Sequence, residues 1–200
     1  MQIEQNKELT KEDLVFLYNN LDKLTEAELR SYLKITDTTV VAKEKETAQD
    51  NFMAFVGKVW PNFIHGRHHE KMAAAFEKVA RGECKRLIIN MPPRHTKSEF
   101  ASYLLPAWFL GKYPEKKVIQ TSHTAELAVG FGRKVRNLVD SDVYKSIFPS
   151  LGLQADSKAA GRWATTRAET TLRLVLGAQL LVKVRTYLLL TTLIQNRKLH

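Results

Sequence analysis

Apolar positions in the first quarter of the chain recur at helical spacing. Leu14, Leu17, Leu21 and Leu29 supply apolar faces, and Thr10 and Thr25 read as helix N-caps, the second forming a capping box with Glu28 three residues on. Residues 1–50 are therefore read as a helical arm whose apolar faces serve packing. The helical pattern runs on from Thr47 to Pro61, where proline cannot propagate it. From His69 to Ala80 the residues Met72, Phe76 and Val79 fall on one face, with Gly82 as the C-terminal stop. The period then changes. Lys85–Asn90 (KRLIIN) predicts a short buried strand, Met91–Lys97 a loop, and Phe100, Leu104 and Phe109 a helix that Pro106 kinks or divides. Lys117–Thr121 (KVIQT) predicts a second strand, and Thr124 caps a helix whose face is Leu127, Phe131 and Leu138. Strand, loop, helix, strand, helix is the order of an α/β fold with a parallel sheet covered by helices.

Two hundred residues with 44% hydrophobic content suffice for one α/β domain with a helical arm and exclude global disorder. Cys84 is the only cysteine, so no internal disulfide exists. The polar opening MQIEQNKELTKEDL lacks the apolar run of an export signal, and both features predict a cytoplasmic chain. The net charge of +10 points to a polyanionic partner such as nucleic acid, but its distribution changes that reading. Residues 167–200 carry six Lys and Arg against one acid, so half the excess lies in the last sixth of the chain. That segment holds ten Leu and five Thr but no Asp, Pro, Phe or Trp. It is not read as a membrane span, because Lys183 and Arg185 would each cost roughly 2.5–3.5 kcal/mol near its middle. Its apolar positions also keep no 3.6-residue period, which argues against a surface-seeking helix.

The chemistry lies in residues 86–100, RLIINMPPRHTKSEF: a strand, a tight loop ending in Lys97-Ser98, and a helix start. Backbone N–H groups and a helix N-terminus converge on an anion in that context. Lys97 would reach the β- and γ-phosphates of a nucleotide, and the Ser98 hydroxyl would ligate Mg²⁺. The spacing G-x-x-x-x-G-K-[ST] has Met91 and Thr96 at its two glycine positions. A β-branched Thr96 fits only if its φ stays negative. On spacing alone, a surface loop with an incidental Lys-Ser stays open. His65, His68 and His69 with Cys84 match no closed zinc pattern, so no metal centre is expected among them.

The run from Phe52 to Thr166 resembles the N-terminal ATPase domain of phage terminase large subunits, the motors that move viral DNA into capsids. The residues that carry the resemblance are Met91-Pro92-Pro93-Arg94-His95-Thr96-Lys97-Ser98-Glu99, Pro106-Ala107-Trp108, Phe131-Gly132-Arg133-Lys134-Val135-Arg136, and Asp156-Ser157-Lys158 through Gly161-Arg162-Trp163. It implies an incomplete P-loop NTPase-type parallel sheet flanked by helices, with ATP and Mg²⁺ held by Pro93 through Glu99. It makes Lys97 and Arg94 the catalytic candidates, Arg94 sensing the γ-phosphate, and His69 a residue near the adenine; the alternatives are a solvent-facing charge for Arg94 and a helix-capping or surface histidine for His69. Arg133 or Arg136 would serve a neighbouring subunit's ATP as a trans-acting arginine; solvated helix face is the alternative for both. The implied partners are double-stranded viral DNA, a small DNA-recognising subunit, the capsid portal and further copies of the chain, in the bacterial host cytoplasm and with no membrane. Two other readings remain: a fragment of another nucleic-acid-dependent P-loop ATPase such as a helicase, and a non-catalytic basic DNA-binding protein.

A motor of this family places an apolar strand ending in paired carboxylates after Trp163. Residues 167–200 contain only Glu169, so hydrolysis lacks its metal ligand and its base. Codons permitted for Leu188–Leu199, read from their third base, include Ile-Ile-Asp-Asp-Pro-His-Ser-Glu-Gln-Glu-Ala, and Leu181–Leu188 permit Gly-Lys-Gly-Ala-Asp-Leu-Leu. The sequence thus divides into an arm (1–50), a partial ATPase domain (51–166) and a frameshifted, poorly ordered tail (167–200) that leaves the domain truncated and marginally stable. Sequencing the coding DNA is expected to show the apolar-Asp-Asp-Pro motif in the shifted frame; a frame without it would end the frameshift reading.

Overall fold

The computed structural model describes residues 15, 18–20, 24–122, 124–159, 162–176 and 187–192; Thr10, Leu14, Leu17 and Leu21 lie outside them, as do Gly161, Lys183 and Arg185. Two units divide the chain, Met1–Thr47 and Ala48–His200. Helix α1 (Glu26–Asp50) starts at the expected capping box. The Thr25 N–H donates to Glu28 Oε2 at 2.9 Å, and the Glu28 N–H donates to Thr25 Oγ1 at 3.4 Å.

The helical pattern from Thr47 to Pro61 is two helices rather than one. Asn51 is extended, with φ −107° and ψ 123°, and its side chain accepts the Ala54 N–H at 2.8 Å, opening α2 (Phe52–Val59). An Asn side chain offers the backbone this alternative to helix continuation. Helix α3 (Arg67–Ala80) buries Met72, Ala73 and Phe76 and ends where Gly82 takes φ 81°. The Glu83 N–H reaches back to the Lys78 carbonyl at 2.9 Å and the Gly82 N–H to Val79 at 3.0 Å, the paired bonds that a left-handed glycine permits.

Lys85–Asn90 forms no strand. Leu87 and Ile88 are exposed, Ile88 by 87%, and only Ile89 and Met91 reach the core. The reason lies in the sheet. Strand β1 (Lys117–Ser122) is paired in parallel on both edges, by β4 (Ala168–Leu176) and β5 (Tyr187–Thr192), so neither edge is open to the earlier segment. Strands β2 (Leu153–Ala159) and β3 (Arg162–Thr165) continue the sheet antiparallel, in the order β2-β3-β4-β1-β5. The fold is α/β with a mixed sheet. The described parts of residues 167–200 supply β4 and β5 of the sheet.

After the loop the chain divides at Pro106, as its missing N–H requires, into a π-helix (Glu99–Leu104) and α4 (Leu105–Lys112). Pro106 cannot donate to the Ser102 carbonyl; the buried Gln120 of β1 does so instead, through Nε2 at 3.1 Å. Helix α5 (Ala125–Asp140), capped by Thr124 through the Leu127 N–H at 3.3 Å, packs against β1 and β4. Helix α6 (Asp142–Ile147) buries Tyr144, whose hydroxyl donates to the Ala107 carbonyl at 2.8 Å.

Fully buried Phe52 is the hub of the core. Its ring meets Phe76, Phe100 and Trp108 edge-on at centroid distances of 5.4, 5.7 and 5.6 Å, tying α2, α3, the π-helix and α4 together. The helix that follows the loop is thus anchored at Phe100 before any ligand is considered. In the same core, a Cβ added at Gly111 would lie 2.4 Å from the Phe148 ring, which Phe55 and Tyr144 hold in place. Gly111→Ala is expected to destabilise the fold by about 2 kcal/mol, read as a lower urea midpoint, whereas an unchanged midpoint would mean that this packing is loose.

Candidate functional site

Residues Met91–Thr96 form a turn between the strandless segment 85–90 and a helix that begins at Lys97 and runs into the π-helix. Two non-glycine residues in it have left-handed backbone, Arg94 at φ 65° and Thr96 at φ 56°. The expectation that Thr96 keeps a negative φ fails. Thr96 occupies the second glycine position of the phosphate-loop spacing, and its backbone adopts the conformation for which glycine is used there, at a cost of order 1–3 kcal/mol for a β-branched residue. That cost must be met by contacts around it.

Those contacts come from His69, on the first turn of α3. The imidazole is only 4% exposed, between Phe63 at 4.6 Å and Phe100 at 4.8 Å, with the His68 ring at 3.7 Å. The Gly66 N–H donates to Nδ1 at 3.0 Å, so Nδ1 carries no proton and Nε2 does. Nε2–H then donates to Thr96 Oγ1 at 2.7 Å, and the Thr96 hydroxyl donates to the His95 carbonyl at 2.7 Å. His69 thus serves as a helix cap and a buttress of the loop. The sequence offers two roles for it, near the adenine or as a capping or surface histidine; the cap is observed, and the contact with Thr96, 27 residues away, has no local signal.

The Phe100 N–H bonds to the Thr96 carbonyl at 2.9 Å, the first helical bond after the loop. The N–H groups of Lys97, Ser98 and Glu99 therefore belong to the unpaired first turn. The Thr96 hydroxyl is turned to His69 and His95 instead of onto these groups. Lys97 and Ser98 are half-buried; Pro93, Arg94 and His95 are exposed, with His95 Nδ1 donating to the Pro93 carbonyl at 2.9 Å. Glu99, two residues after Lys97, is engaged by Lys134 of α5 at 2.7 Å, and no ion pair of Lys97 or Arg94 occurs among the described residues. Lys134 also lies over the Tyr103 and Phe131 rings at 5.8 and 5.6 Å. Two flanking cations, free amides and two left-handed turns make an arrangement suited to a polyphosphate.

The remaining sequence candidates fall elsewhere. Arg133 is exposed on α5, and Arg136, half-buried on the same helix, donates to Asn137 Oδ1 at 3.3 Å. Among the described residues no cluster of His, Cys, Asp or Glu could hold a metal ion, and no helix is long and apolar enough to cross a membrane. The parallel strands β1, β4 and β5 end at Ser122, Leu176 and Thr192, none of them an acid.

Burial, with His68 and His65 nearby, lowers the His69 pKa below the usual imidazole value. Folding therefore favours the neutral ring, and the stability it contributes is present above the unfolded value of about 6.5 and lost as pH falls through the lower folded value. His65, which is 3.6 Å from Glu70, and His95, whose ring lies 6.0 Å from His68, stand in the same neighbourhood, so the comparison must be with a variant. Between pH 7.5 and 5.5 the urea midpoint of the protein is expected to fall further than that of His69→Asn; equal falls would show that His69 carries none of this dependence. No protein-family model, no curated protein and no solved structure matches the chain.

Proposed function

We propose that the chain is an ATP-binding domain of a phage terminase large subunit, part of a motor that packages double-stranded DNA. The observation that carries this reading is the left-handed backbone at Thr96, directly before Lys97-Ser98 and the helix start. A loop with an incidental Lys-Ser has no need of a strained threonine at the glycine position; a loop shaped to approach phosphate does. The sequence resemblance, from the Pro-Pro-Arg loop to Trp163, supplies the family.

The residues present fit a magnesium nucleotide. Lys97 would bind the β- and γ-oxygens, Arg94 would neutralise the outer phosphate, and the amides of Lys97, Ser98 and Glu99 would receive the remaining oxygens. The Ser98 hydroxyl is the one side-chain oxygen at the loop available to Mg²⁺, which when bound offsets phosphate charge. Glu99, paired with Lys134, takes no part in that ligation.

Among the described residues no carboxylate ends the parallel strands to hold the metal or polarise water. The register sets Thr191 and Thr192 beside Thr121 and Ser122, and these are the positions at which the shifted frame would carry paired aspartates. The reading is therefore of a nucleotide binder that does not hydrolyse, in a family whose members couple hydrolysis to DNA movement with a small subunit, a portal and further copies of themselves.

Isothermal titration of the chain with Mg·ATP tests it. Binding is expected, with Lys97→Ala weakening it at least about a hundredfold and Arg94→Ala about tenfold, and with phosphate release at background. Absence of binding by the native chain, or equal binding by Lys97→Ala, would overturn the proposal.

A further inference from the structure

We propose that His69 is a positioning residue that performs, together with Thr96, the task a glycine performs in a phosphate loop: it holds residue 96 left-handed and its hydroxyl away from the helix N-terminus. The inference rests on the nucleotide reading of the loop and adds a residue to it that touches no nucleotide.

The geometry supplies both halves of the task. A threonine preceding a helix ordinarily turns its oxygen onto the N–H groups of the first turn and occupies them. Here the oxygen accepts from His69 Nε2 at 2.7 Å and its proton goes to the His95 carbonyl, so those N–H groups stay free. The imidazole cannot swing away. The Gly66 N–H fixes Nδ1 at 3.0 Å, the Phe63, Phe100 and His68 rings surround it, and the residue is 4% exposed. Phe100 links the same ring to the far side of the loop, because its own N–H bonds to the Thr96 carbonyl. Left-handed geometry at a β-branched residue thus rests on one half-buried hydrogen bond from a ring locked on three sides. A loop with glycine at residue 96 would have no use for that bond.

The test is a cycle on the full chain: native protein, His69→Asn, Thr96→Gly, and the double variant, each titrated with Mg·ATP and melted. Asn retains an acceptor where Nδ1 meets the Gly66 N–H but loses the group at Nε2; His69→Gln, which restores an amide near the Nε2 position, is the conservative control. His69→Asn is expected to weaken Mg·ATP about tenfold when residue 96 is Thr and less than about twofold when it is Gly, with His69→Gln close to native. Equal loss in both backgrounds, or no loss in either, would overturn the assignment. If the native chain binds no Mg·ATP, the nucleotide reading falls by itself, and the melting temperatures decide the pairing. A drop from His69→Asn that vanishes in the Thr96→Gly background supports it, and an equal drop in both refutes it.

Discussion

A single hydrogen bond, from His69 Nε2 to Thr96 Oγ1, joins the helical half of the molecule to its anion-suited loop. The bond is buried at its imidazole end and falls on a residue whose backbone is held against its own preference. Much of the surrounding packing can be traced from it. Phe63 and Phe100 seat the imidazole, Phe100 is held by Phe52, and Phe52 gathers α2, α3 and α4 into one core. Strain in a loop is tolerated where the structure around it is rigid, and a cluster of aromatic rings, Phe52, Phe63 and Phe100, lies behind this loop.

The sheet follows a different logic. In it β1 is central, Gln120 donates to the carbonyl that Pro106 leaves without a helical donor, and the two strands that flank β1 come from the Leu- and Thr-rich final segment. That segment has the composition to form strands but none of the acids that a phosphate-cleaving site needs where parallel strands end. Among the described residues the cations and first-turn amides lie at the loop, while the parallel strands end at Ser122, Leu176 and Thr192.

Local signals in the sequence were read well. The Thr25–Glu28 capping box, the Gly82 stop, the division at Pro106, the KVIQT strand and the Thr124 cap each depend on residues within a few positions of one another, and each takes the form its chemistry dictates. What was not legible depends on distant partners. KRLIIN has the composition of a buried strand, yet stays outside the sheet because β4 and β5 occupy both edges of β1. Asn51 splits a continuous helical pattern through a side-chain cap that periodicity cannot see. Thr96 was judged by its intrinsic preference for negative φ, which is sound for an isolated residue and fails once a buried histidine 27 residues earlier takes hold of its hydroxyl. The turn before Lys97-Ser98 stands where the spacing puts it, and its support by His69 has no local signal.

The central claim is that the amides following Thr96 receive a triphosphate. Amide ¹H–¹⁵N spectra of the isotope-labelled chain, recorded as Mg·ATP is added, address it most directly. The account predicts that the Lys97, Ser98 and Glu99 resonances move together and saturate, while those of the sheet stay in place. Resonances at these three positions that remain fixed through millimolar nucleotide would contradict it.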